Sequence, residues 1–254
     1  MPSIDEKSLI RTTKLNYDQI SGTSTPPTPS FPPANLQPGF GVGAPGVGSG
    51  ATADPADAIE PIWNAFRFAH DLWRQQAGFR DVVIHGPTAT GGRLEGPDLG
   101  ALMKSAPSLA VPSAVVKEYG TPIAEVIGET WARFVSSVSV PGLAWYPTFA
   151  AWPGPVAPPT PNVPTPFIML QFHRDTISET SLERALAFRI GQGKADALCK
   201  AVAKGLAQTM ELWMSAQPVT QVMGQGRTSA NPPTVPVGPV VAGTILPTPG
   251  HLAG

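Results

Sequence analysis

A stretch with the period of an amphipathic helix, ending in tryptophan, occurs three times in this chain. Each copy is followed by a Val-rich run broken by glycine and then by Gly-Pro. The first runs from Ala58 to Trp73 (AIEPIWNAFRFAHDLW), continues as DVVIHG and reaches Gly96-Pro97. The second runs from Thr121 to Trp131, continues as VSVPG and reaches Gly154-Pro155. The third runs from Ala195 to Trp213, continues as PVTQVMG and reaches Gly238-Pro239. From each tryptophan to the glycine that breaks the Val-rich run (Gly86, Gly142, Gly224) the offsets are 13, 11 and 11, and to Gly-Pro they are 23, 23 and 25. Near-constant offsets around so rare a residue predict an internal triplication. One helix and one hairpin cannot bury a core alone, so the units must pack on one another or on other chains.

The predicted fold class is therefore α+β, with three pseudo-repeated helix–Trp–β-hairpin units and extended Pro/Gly-rich arms. The expected blocks are a tail and arm over residues 1–53, a first repeat over 54–112, a second with a Pro-rich insertion over 113–192, and a third with the C-terminal tail over 193–254. Trp73, Trp131 and Trp213 are expected to be structural keystones at the helix-to-strand corners.

The chain holds 31 Pro and 26 Gly, while charged residues make up only 14%, against roughly 25% in ordinary globular proteins. Disordered chains are charged and poor in aromatics; this one has 6 Trp and 10 Phe. Such a chain is better solvated by protein neighbours than by water. A net charge of −1 without basic runs argues against direct nucleic-acid binding, which needs clustered Lys and Arg. The single Cys199 excludes an internal disulfide framework and fits folding in a reducing cytoplasm. The N-terminal residues carry mixed charges and no apolar core, so they do not read as a secretory signal. Residues 134–172 are nearly free of charge, yet their many prolines forbid a spanning helix, and no membrane insertion is expected.

Asp54, Pro55 and Asp57 mark a helix start, and Ile59, Ile62, Trp63, Phe66, Ala69 and Trp73 share one face of that helix. FRDVVIHG reads as a strand, TATGG as a turn, and RLEG as its partner strand. Short helical turns are expected over 98–119, stopped by Gly120, with a new start at Thr121-Pro122. IMLQFHRD reads as a strand, and Thr180 with Glu183 as a capping box. Residues 1–17 are expected to order only when docked. Two uncharged segments, Ser24–Ala53 with Phe31, Leu36 and Phe40, and Tyr146–Pro166, are expected to lie over neighbouring subunits. Phe31, Phe40, Trp145, Tyr146, Phe149 and Trp152 are accordingly the interface candidates.

No motif carries chemistry. Gly86–Arg93 follows a strand but lacks the Lys and Ser/Thr of a phosphate loop. Gly41–Gly46 matches a dinucleotide fingerprint only as a string. The four histidines are scattered, without metal-ligand spacing; His70 reads as a boundary residue. His173, Asp175 and Ser178 lack the context that activates a nucleophile, and Cys199 reads as a core or interface residue. The expectation is a protein with no catalytic site, cofactor or metal.

The helix–Trp segments followed by Gly-Pro-rich hairpins, ending in VPVGPVVAGTILPTPG, resemble internally repeated structural proteins of tailed-phage virions and contractile injection systems. The resemblance implies a multi-copy structural subunit in the tail, baseplate, neck or capsid surface. Its partners would be copies of itself and other structural proteins of the particle, after folding in the host cytoplasm. The alternative is a non-catalytic recognition module using exposed aromatics such as Trp145, Tyr146 and Trp152.

Overall fold

The computed structural model describes residues 5–22, 54–193 and 195–253. Its helices are α1 (Glu6–Ser21), α2 (Ile59–Gln76), α3 (Leu99–Lys104), α4 (Thr121–Ser136), α5 (Glu179–Ile190) and α6 (Asp196–Ala216). The strands are β1 (Gly78–His85), β2 (Thr88–Glu95), β3 (Val140–Leu143), β4 (Trp152–Pro153), β5 (Val156–Pro161), β6 (Thr165–Pro166), β7 (Pro218–Val219), β8 (Met223–Arg227), β9 (Val237–Gly238) and β10 (Gly243–Ile245). The class is α+β, and every strand pairing among the described residues is antiparallel.

The helices touch in cyclic order, each packing on the next in the chain and α6 closing back on α1. α2, α4 and α6 each end within a few residues of a strand, so their C-terminal tryptophans stand between the helices and the β segments. The main sheet has the order β3-β2-β1-β10-β8-β5, with the β1–β2 hairpin near its centre. Both edge strands carry proline, Pro141 on β3 and Pro158, Pro159 and Pro161 on β5. Each proline removes an amide donor, which makes such an edge a poorer template for another strand.

The start of α2 follows its local signals. Asp54 Oδ1 accepts from Ala56 N at 2.9 Å, and a 3₁₀ turn over Pro55–Ala58 leads into the helix. Several other expectations are corrected. The β1–β2 turn falls at Gly86-Pro87, and TATGG lies within β2. Its Gly92 is there because a Cβ would lie 2.5 Å from Val82 Cγ2. Gly120 stops nothing: a π-helical turn over Val116–Gly120 runs straight into α4, and no side chain caps it. IMLQFHRD forms 3₁₀ turns around a single bridge, Gln171 to Ser139. The cap of α5 is Ser178, one helical start earlier than Thr180. Residues 6–21 form a helix docked on the chain itself.

Tyr146–Pro166 is also corrected, because it packs on its own fold. Tyr146 N donates to Pro87 O at 3.0 Å, Val163 N to Trp145 O at 2.8 Å, and β5 pairs with β8. The arm at Ser24–Ala53 lies outside the described residues. The β segments after the three tryptophans differ. The first is a hairpin of two eight-residue strands, the second a four-residue edge strand, and the third is split between β7 and β8. Strands from all three expected repeat blocks join one sheet, and one buried core runs from Leu9 to Leu252. The block boundaries therefore do not divide the core.

Candidate functional site

The inner faces of α2, α4 and α6 deliver Trp73, Trp131 and Trp213 to one place. Trp73 and Trp131 meet edge to face with ring centroids 4.8 Å apart, and Trp131 and Trp213 lie 5.9 Å apart. All three are at most 3% exposed. His70 sits among them, 5.0 Å from Trp213 and 5.5 Å from Trp131, stacked between Phe66 and Trp73. It is fully buried, which corrects its expected place at a boundary. Its position relative to Phe66 and Trp73, i+4 and i−3, sets it on the same helical stripe. Neither ring nitrogen has a hydrogen-bond partner among the described residues. Burial, with the Arg74 charge second, pushes its pKa down to about 3, so at neutral pH the ring is uncharged. Trp213 Nε1 donates to Gln217 Oε1 at 3.2 Å, and Gln217 Nε2 donates to Leu252 O at 3.0 Å, which ties the cluster to the C-terminal tail.

A groove of about 920 Å³ opens beside this cluster, between the Gly96-Pro97 connection and α4, with Trp73 and Trp131 among its lining. Its shape depends on two close approaches. A Cβ on Gly96 would lie 2.4 Å from Trp73 Nε1, and one on Gly128 would lie 2.5 Å from Gly100 Cα, where α3 crosses α4. Most charges at its rim are paired within the chain, while Asp98 caps α3 by accepting from Ala101 N at 3.1 Å. Arg189 holds Glu125 and Glu129, each at 2.6 Å, and Lys104 approaches Glu125 at 3.6 Å. Arg93 holds Glu95 at 2.6 Å and Asp81 at 2.7 Å. The Arg93 hydrogen bond draws the Glu95 carboxyl below its ordinary pKa, away from the range of a general acid.

The remaining candidates are accounted for structurally. Ser178 Oγ donates to Asp175 O at 2.9 Å and caps α5, while His173 is exposed. The Cys199 thiol is buried, and desolvation pushes its pKa up to about 11, so it stays protonated. His251, which the sequence did not single out, accepts from Phe79 N through Nδ1 at 2.8 Å and bonds Thr248 Oγ1 through Nε2 at 2.9 Å. Burial brings its pKa down to about 4. Among the described residues no group of three or more His, Cys, Asp or Glu is placed to hold a metal.

The interface candidates are corrected in part. Trp145, Tyr146 and Phe149 are buried. Tyr146 Oη donates to Val222 O at 2.9 Å, and its ring stacks on Phe149 at 5.0 Å. Trp152 is half-buried, edge-on to Phe149 at 5.9 Å. These rings close the chain's own core, and those of Trp145, Tyr146 and Phe149 are not available as recognition platforms. Phe31 and Phe40 lie outside the described residues.

Phe188 on α5 and Leu212 on α6 are the most exposed large apolar side chains among the described residues, and on the sheet the exposed apolar residues are valines. Val156 pairs with Arg227, whose carbonyl accepts from Val241 N at 2.8 Å, so the three side chains form a cross-strand row. Val156 is 57% exposed and Val241 52%. Val235 and Val237, on and beside β9, are also exposed. Among the described residues no helix is long and apolar enough to cross a membrane. No known protein family, curated protein or solved structure matches this chain.

Proposed function

We propose that this chain is a structural subunit of a large protein assembly, a tailed-phage virion or a phage-tail-like particle, acting through contacts with copies of itself and other structural proteins. The observation that carries the reading is the valine row on the β5–β8 face. Apolar side chains gathered on one sheet face gain about 25 cal/mol per Å² when a neighbour covers them. The proline-bearing sheet edges support the same reading, because they direct association to faces and away from strand addition. Within this proposal the three helix–Trp segments are a pseudo-repeat that survives in the helices and has diverged in the β segments.

The test is fractionation of particles from the producing host on a density gradient, with quantitative mass spectrometry of each fraction. The chain is expected in the particle band at a fixed ratio to the major structural protein. Intact particles without the chain, and the chain only in the free-protein fractions, would end the proposal.

A further inference from the structure

Helix α1 sits in a groove fitted to it. Leu9, Thr13, Asn16 and Tyr17 form its buried face against α6 and α2. Thr13 accepts from Trp63 Nε1 at 3.1 Å and lies over Gly205 of α6, where a Cβ would stand 2.5 Å from Thr13 Oγ1. Further along, Tyr17 Oη donates to Asp54 Oδ1 at 2.9 Å, and Lys14 pairs with Glu60 at 3.3 Å. These polar latches fix the register of a helix that has few apolar residues to offer.

The connection from α1 to the rest of the fold is out of proportion to the gap it closes. Tyr17 touches Asp54, and Gly22 lies only about 8 Å of helix beyond Tyr17. About five residues would close that distance, whereas residues 23–53 have a contour of about 100 Å. A folded chain of this length is about 45 Å across. The connection therefore has length to cross a whole neighbour.

We propose that α1 is an exchange element, docking in the α2–α6 groove of a second copy of this chain when copies are held side by side. The same Thr13–Trp63 and Tyr17–Asp54 hydrogen bonds form in either arrangement, so exchange needs no new contact. The intrachain arrangement is favoured only by its effective concentration, on the order of mM. Copies about 45 Å across, packed side by side, face one another at on the order of 10 mM, comparable with the intrachain value, and there the exchanged form is populated. The partner rests on the assembly reading; the groove and the length of the connection do not.

The test uses the full-length chain carrying Cys199→Ala. One copy carries Ser8→Cys on α1 and another Gln208→Cys on α6, both of which line the crevice between these helices. The two copies are mixed in denaturant, refolded together at about 1 mM and treated with a short bis-maleimide. A covalent dimer joining residue 8 of one copy to residue 208 of the other is expected. Removing residues 29–48 leaves enough chain for intrachain docking and too little to cross a neighbour. That removal is expected to cut the dimer about tenfold, while a chain carrying both cysteines still links internally. Internal links alone in the full-length chain, or a dimer yield unchanged by the shortening, would overturn the proposal. Particle fractionation reads the assembly proposal separately, so the two can fail independently.

Discussion

His70 is the residue on which the core's response to pH turns. Unfolded, its imidazole titrates near 6.5; folded, at about 3, because burial penalises the charged ring and Arg74 adds to that penalty. Between those values the unfolded chain binds a proton that the folded chain refuses. Its contribution is therefore complete above about pH 6.5 and declines as the pH falls through the window. His251 adds an effect of the same sign down to about 4. His70→Phe keeps a flat ring against Phe66 and Trp73 and removes one titration. The fall in urea midpoint from pH 7 to pH 4 is expected to be smaller in this variant than in the parent, and equal falls would assign the acid response to other groups. Trp213→Ala should cost about 3–5 kcal/mol, measured by denaturant unfolding at pH 7, because it opens a void beside His70 and releases Gln217 from its partner. The signal for burial of His70 is present in its spacing to Phe66 and Trp73, yet the residue reads as a boundary one. The polar Asp71 beside it, and the usual exposure of histidine, pointed the other way.

At the scale of elements, the crossing of α3 over α4 depends on two glycines whose backbones touch. Gly128→Ala places a methyl 2.5 Å from Gly100 Cα, and no flexible side chain is there to yield. A loss of about 1–3 kcal/mol is expected, read as a lower urea midpoint. An unchanged midpoint would mean that α3 shifts freely and does not shape the groove. The elements legible in the sequence were those whose signals are local. The start of α2 combines a cap, a proline and an apolar period within a dozen residues, and the inner stripes of α4 and α6 repeat at helical spacing. The TATGG half of β2 was hidden because Gly92 answers to Val82 across the hairpin. α1 was hidden because Thr13 and Tyr17 dock it through hydrogen bonds and Lys14 through an ion pair, which leave no mark on hydrophobic periodicity. The Pro-rich run from Tyr146 read as an arm for the same reason: an extended segment shows no period, and its burial is decided by Pro87, Val222 and β8, far away in the chain.

At the scale of the whole molecule, the β5–β8 face carries exposed apolar side chains on the sheet, as the helices do with Phe188 and Leu212. The three tryptophans, read from their spacing as three similar corners, occupy a single centre, so the interior is committed to one fold. The valine row lies outside that commitment: Val156 and Val241 flank Arg227, and lysine at both positions would set three positive charges side by side. A neighbour's apolar surface would then have to desolvate those charges without a counter-charge, a penalty of several kcal/mol per buried ion. The isolated chain would not feel it, because exposed substitutions of this kind change stability by about 0.5 kcal/mol or less. The double variant Val156→Lys, Val241→Lys is therefore expected to keep the parent's thermal midpoint to within a few degrees and to drop out of the particle band. Normal incorporation alongside an unchanged midpoint would move the subunit contact to another face. A lowered midpoint would show instead that the two valines support the fold itself.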